Sequence, residues 1–215
     1  MNHLRVVIAF IAALVISGCA VSPPSPSVDR EKGDWEHQQQ RLEALNEWQL
    51  SGKIGLRSPR QNRSANLDWS QQAADYTIMV SGPFGVGRNT LQGHPGDVTL
   101  RNGEGTFSAA TPEQLMEQQL GWSLPVSSLD RWVRGLAANG SQGTFSYDDD
   151  GFPATLEQDG WTINYLQWSY ADGYWLPGRL RLTYGDIQVT FVITRWQPQP
   201  RQNGASQSAQ PASAN

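Results

Sequence analysis

The chain has 215 residues, enough for one domain with tails. Its 16 Lys+Arg against 20 Asp+Glu give a net charge of -4, so no excess of cations is present to neutralise phosphates, which weighs against nucleic-acid binding. One Cys excludes an intramolecular disulfide framework and a Cys-cluster zinc site, a three-His metal site would need His3 near the N-terminus, and 21 Gly, 13 Pro and 9 Trp suit a β-rich globular domain.

Met1 to Arg5 form a short basic start, and Val6 to Ile16 is an apolar run of signal-peptide length, too short to cross a bilayer of about 30 Å. Ile16-Ser17-Gly18-Cys19 follows and resembles the bacterial lipobox, in which the Cys is acylated and becomes the first residue. Residues 1–18 therefore read as a lipoprotein signal peptide and Cys19 as the lipidation site. Ala20 stands where an Asp favours inner-membrane retention, so the resemblance implies an outer-membrane anchor. Residues 19–33, rich in Pro and Ser, read as a tether. Residues 34–197 form the expected domain, and residues 198–215, rich in Gln, Ser and Ala, read as a disordered tail.

Asp34 is a candidate helix cap, with Trp35, Leu42 and Leu45 on one stripe. The period then changes to two: Trp48, Leu50, Gly52, Ile54 and Leu56 share a strand face, as do Ala65, Leu67 and Trp69, and Tyr76, Ile78 and Val80. Gly82-Pro83-Phe84-Gly85 suits a tight turn. Turn pairs recur at His94-Pro95-Gly96-Asp97, Asn102-Gly103, Asp150-Gly151, Asp159-Gly160, Asp172-Gly173 and Gly185-Asp186. Leu180-Leu182-Tyr184 is expected to pair with Ile187-Val189-Phe191-Ile193 across the last of these. Two helices interrupt the strands. Thr111 caps one that begins at Pro112, runs to Leu120 and stops at Gly121. Ser127 or Ser128 starts the other, with Leu129, Trp132, Val133 and Leu136 on one apolar face. The predicted fold is mainly β with α: an open, strongly curved antiparallel sheet of about eleven strands, with three helices lidding its concave apolar face.

Signatures of chemistry are missing. The sequence has no G-x-S-x-G, Walker A, G-x-G-x-x-G before a helix, or H-E-x-x-H motif. His37 falls on a polar helix face and His94 in a turn. Asp148-Asp149-Asp150-Gly151 lacks the spacing of a calcium loop and reads as a solvated turn. Aromatic bulk is what the chain has in plenty. Its Trp side chains suit either ordinary core or the lining of an apolar cavity.

Leu45-Asn46-Glu47-Trp48, Ser51-Gly52-Lys53, Ala65-Asn66-Leu67-Asp68-Trp69, Gly82-Pro83-Phe84-Gly85, Gly121-Trp122-Ser123-Leu124-Pro125-Val126 and Leu129-Asp130-Arg131-Trp132-Val133-Arg134-Gly135-Leu136 together resemble the LolB family. That resemblance implies an open eleven-stranded barrel lidded by helices. It also implies an outer-membrane receptor that accepts client lipoproteins from a soluble periplasmic carrier of the LolA type and inserts them into outer-membrane lipid. On this reading the protein is no enzyme, needs no cofactor, contacts no nucleic acid and is a monomer. The acyl-chain cavity is expected to involve Trp48, Leu67, Trp69, Trp132, Val133 and Leu136. Phe84 and Val86 match the family's apolar membrane-inserting loop; the other reading of Phe84 folds it back onto the sheet edge. The competing function is a lipid-anchored envelope scaffold whose Trp residues are plain core.

Overall fold

The structure, a computed structural model, describes residues 35–59, 61–120 and 124–199. The signal segment, Cys19, the tether, the Asp34 cap, Gly121, Trp122 and the tail from residue 200 lie outside the described residues.

Among the described residues, eleven strands form one sheet in the order β6-β5-β4-β3-β2-β1-β11-β10-β9-β8-β7, with every pairing antiparallel. The strands are β1 (Glu47–Ser58), β2 (Gln61–Gln72), β3 (Asp75–Ser81), β4 (Asn89–His94), β5 (Asp97–Asn102), β6 (Gly105–Ala109), β7 (Thr144–Tyr147), β8 (Pro153–Gln158), β9 (Trp161–Ala171), β10 (Tyr174–Tyr184) and β11 (Ile187–Pro198). Two meanders meet at one seam, where β1 pairs with β11. The sheet is open, ending at β6 and β7.

Local chemistry sets the turns. All six turn pairs named from the sequence connect neighbouring strands. At two of them an Asp-Gly pair takes left-handed backbone at both residues: Asp159 (φ 52) with Gly160 (φ 78), and Asp172 (φ 47) with Gly173 (φ 87). This geometry matches the twist of the flanking strands. The run at Asp148 is likewise a turn, because its Oδ1 accepts the N–H groups of Asp150 (3.1 Å) and Phe152 (2.9 Å). Strand β11 runs one residue beyond the expected 197 boundary. Pro198 is buried opposite Trp48, and the Gln199 N–H donates to Glu47 O at 2.8 Å.

Three helices cover the inner face: α1 (Trp35–Ala44), α2 (Pro112–Leu120) and α3 (Val126–Trp132). Helices α2 and α3 lie in the connection between the two edge strands, β6 and β7. Thr111 Oγ1 accepts the Gln114 N–H (3.2 Å), which caps α2 as expected. Helix α3 begins at Val126 rather than at a Ser cap. A side chain from the neighbouring helix supplies the missing acceptor: Glu113 Oε1 of α2 takes the Ser127 N–H at 2.9 Å. At the other end, Gly135 (φ 85) closes α3 with Gly135 N–H to Trp132 O and Leu136 N–H to Arg131 O, both 3.0 Å. Trp168 and Trp35 pack where a side chain would sit, since a Cβ on Gly135 would meet them at 2.6 and 3.2 Å.

Arg134 joins α3 to α1. Its Nη1 donates to Leu42 O and Leu45 O, both at 2.7 Å, so it adds a donor to carbonyls at the end of α1. Its Nη2 reaches the Asp130 carboxylate at 3.1 and 3.2 Å. Burial lowers the Arg134 pKa, and the Asp130 charge opposes that shift. Arg131 adds a two-pronged contact to Glu43 (2.6 and 2.8 Å).

Candidate functional site

The inner face divides into a filled part and a hollow part. Trp48 packs between Trp69 and Trp196 (ring centroids 5.1 and 5.3 Å), and Trp35 packs against Phe152 and Trp168 (5.4 and 5.2 Å). Between α2, α3 and strands β1 to β5 and β11 lies a cavity of about 490 Å³, within the usual ligand-pocket range of about 300–1,000 Å³. Leu56, Leu67, Trp69, Ile78, Leu91 and Phe191 form its sheet wall. Leu115, Met116, Leu124, Val126 and Leu129 form its helix wall. The polar contributors, Arg63, Ser64 and Asn89, come from strand ends.

One border of the cavity is the β3–β4 connection, through Gly82, Val86 and Gly87. There a one-turn helix (Pro83–Gly85) is closed by Gly85 N–H to Gly82 O (3.1 Å) and Gly82 N–H to Val86 O (2.8 Å). Phe84 occupies its tip with left-handed backbone (φ 57, ψ 21). The ring is fully exposed, at 103%, and Val86 is 72% exposed. The structure thus places Phe84 in solvent and not folded back onto the sheet edge.

The sequence-named cavity residues separate into two groups. Leu67 and Trp69 stand on the wall, and Val86 borders the mouth. Trp48, Trp132, Val133 and Leu136 do not line the cavity and are enclosed in packed core. Trp132 shows the reason. Its Nε1 donates to Gln158 Oε1 (2.8 Å), its carbonyl accepts Tyr165 Oη–H (3.1 Å), and its ring lies 6.2 Å from Trp161. The helical stripe that faces inward therefore divides: Val126 and Leu129 meet the hollow, while Trp132 meets the strands of the second meander. Leu56, Ile78, Leu91, Val189 and Phe191 were missed as wall residues. The signal for Leu56, Ile78, Val189 and Phe191 was present, because each lies on an alternating run named from the sequence, whereas Leu91 is placed only by its pairing with Ile78.

A second cavity of about 310 Å³ shares Trp69 and Val126 with the first, and adds polar groups from Gln71, His94 and Asp130. Tyr76 lies on its wall, with its phenol pushed up to about 12 by burial and by the charge of Glu113. His94 is exposed and lies 3.9 Å from Asp97.

The site is therefore an open antiparallel sheet that holds a largely apolar cavity under helices, with an apolar turn at its mouth. A family model described as "Outer membrane lipoprotein LolB" matches residues 46–196. The Outer-membrane lipoprotein LolB of Chromohalobacter salexigens is 52% identical over 193 residues, which is 90% of each chain. That of Pseudomonas savastanoi pv. phaseolicola is 44% identical over 199 residues, 91% of this chain and 97% of its own. A crystal structure of a DUF1329 family protein from Desulfovibrio piger is similar in fold, with a TM-score of 0.51 at 7% identity, covering 83% of this chain and 96% of that one. The chain belongs to the LolB family of outer-membrane lipoproteins.

Proposed function

We propose that this receptor takes the acyl chains of client lipoproteins from a soluble periplasmic carrier into the cavity under α2 and α3, and that the Phe84 turn passes them to the outer membrane. Cys19 carries the receptor's own anchor in this reading. The observation that carries it is the juxtaposition of an apolar cavity with a fully exposed Phe at its mouth. Exposing an acyl chain to water costs about 0.8 kcal/mol per CH₂, so a client must be covered at every step. Shielding by aliphatic and aromatic walls is non-directional and needs no reading of the client's sequence.

Phe84 supports the release step on energetic grounds. Left-handed backbone costs a non-glycine residue about 1–2 kcal/mol, and among the described residues none packs on the fully exposed ring to offset that. Burying the ring in a bilayer gains about 1.5–3 kcal/mol, enough to orient a tethered domain. The test is transfer of a labelled client from the carrier to the receptor and then to liposomes. Phe84→Glu should accept clients at a near-normal rate but retain them, so that loaded receptor accumulates. Normal insertion by Phe84→Glu would overturn the reading.

A further inference from the structure

The charges of the first meander are sorted by strand end, although the protein as a whole is acidic. Arg57 and Arg63 flank the β1–β2 turn, on rungs Arg57–Asn62 and Leu56–Arg63. Arg88 ends the Phe84 connection, and Arg101 pairs with Thr90 next to it. All four arginines are exposed, and among the described residues none of them is in an ion pair. The opposite end carries Glu47, Asp75 and Asp97, on rungs Glu47–Gln72, Asp75–Gln72 and Asp97–His94. On the arginine end of this meander the one acidic residue is Glu104, in the β5–β6 turn; Asp186 and Asp159 lie further round, in turns of the other meander.

From this sorting we infer that the cavity mouth is an anionic-lipid docking surface, on which Arg57, Arg63, Arg88 and Arg101 bind phospholipid phosphates around the Phe84 tip. The inference rests on the reading that the Phe84 turn meets the bilayer, and it adds the headgroup class that the turn selects. Guanidinium groups match phosphate oxygens in two-pronged geometry. An exposed apolar tip that shares its strand end with four exposed arginines outside any ion pair is complementary to a surface that is negative outside and apolar beneath. The carboxylates at the far strand end are repelled by the same surface, so the field turns the cavity mouth toward the membrane.

The test uses the full lipidated chain anchored in vesicles of phosphatidylcholine, with or without phosphatidylglycerol. Cys19 is the chain's only Cys and is acylated in this reading, so Val86→Cys supplies a single thiol for an environment-sensitive dye. Phosphatidylglycerol should shift the dye emission to the blue, and high salt should remove that gain by screening. Each Arg→Gln change should lower the docked-to-undocked ratio about fivefold on anionic vesicles. The fourfold Gln variant should lose the phosphatidylglycerol dependence, and the fourfold Lys variant should keep most of it. Circular dichroism establishes that both variants are folded. Equal dye burial on the two vesicle types, or a phosphatidylglycerol effect that survives in the Gln variant, would overturn the inference. If the Gln variant instead slows acceptance from the carrier while keeping its lipid dependence, the arginines serve the carrier and the inference fails. Dye that stays in water on both vesicle types sinks the membrane role of the turn itself, which is a separate and recognisable failure.

Discussion

Phe84 holds an unfavourable backbone and, among the described residues, has no packing partner in return, so its replacement by Gly separates stability from function. Phe84→Gly relieves the left-handed strain, while the added freedom of the unfolded chain offsets about 0.5–1 kcal/mol of that relief. The denaturant midpoint should stay level or rise slightly, and client release should fail. A clear loss of stability would mean that the ring packs on the fold after all. Trp132 lies at the other extreme, with 0% exposure and both its indole N–H and its carbonyl engaged. Trp132→Ala should cost about 3–5 kcal/mol, as for a filled core site. Acyl binding in the surviving folded fraction should be intact, because the ring does not reach the cavity wall. Weak destabilisation with lost acyl binding would return Trp132 to the lipid site.

Strands β1 and β11 carry the seam between the two meanders, and that seam contains an irregularity with a strict requirement. The register shifts between Ser51 and Gly52, so that Thr194 stands opposite no residue of β1, and its Oγ1 instead donates to Ser51 O at 3.2 Å. This lets Trp196 and Ile193 face inward although they are three residues apart. A Cβ on Gly52 would sit 2.1 Å from Val192 O, a backbone atom that cannot swing away. Gly55, on the same strand, has no neighbour of a Cβ nearer than 4.0 Å. Gly52→Ala should therefore destabilise by more than the roughly 1 kcal/mol of an average substitution, while Gly55→Ala should stay within about 0.5 kcal/mol. Urea melts of the two variants decide it, and equal midpoints would refute the steric account. The α1–α3 junction offers a second check at this scale. Arg134→Met leaves Leu42 O, Leu45 O and Asp130 without their buried donor. Leaving a buried acceptor without its donor typically costs about 1–3 kcal/mol, to be read in the same melts.

Across the whole molecule, two buried phenols link folding to alkaline pH. Tyr76 is pushed up from 10.0 to about 12, and burial pushes Tyr165 up still further. The folded chain thus holds both protons more tightly than the unfolded chain does. Their contribution to stability is fully present below pH 10.0 and is lost as pH rises through about 12. Denaturant midpoints measured against pH should be flat up to the ordinary tyrosine pKa and then fall. Tyr76→Phe should make the fall shallower; an unchanged slope would assign it to other groups. The same large-scale view explains why the sheet remains open. The connection from β6 to β7 carries α2 and α3 across the inner face, so helices cover it and the two edge strands need not meet.

The sequence alone determined the elements and most of their ends. Alternation of period two, Asp-Gly turns that admit left-handed backbone, and the Thr111-Pro112 start act within a few residues, so no tertiary context is needed to read them. The exposed tip at Phe84 was legible for the same reason: a tight turn leaves its tip no partner. Three features depended on the tertiary structure. The start of α3 is set by Glu113 reaching over from another helix. The shift at Ser51–Gly52 exists because two meanders must join with both inner faces apolar. The division of the inward residues into cavity wall and solid core came last. Leu67, Trp69 and Trp48 stand on strand alternation and Trp132 on a helical stripe, and each pattern points its residues inward. What separates them is how much of the chain lies on top: α2 and α3 span the first meander with space beneath, while Trp132 sits directly on the strands of the second. Periodicity encodes which way a side chain points, but only the folded chain decides whether anything fills the space it points into.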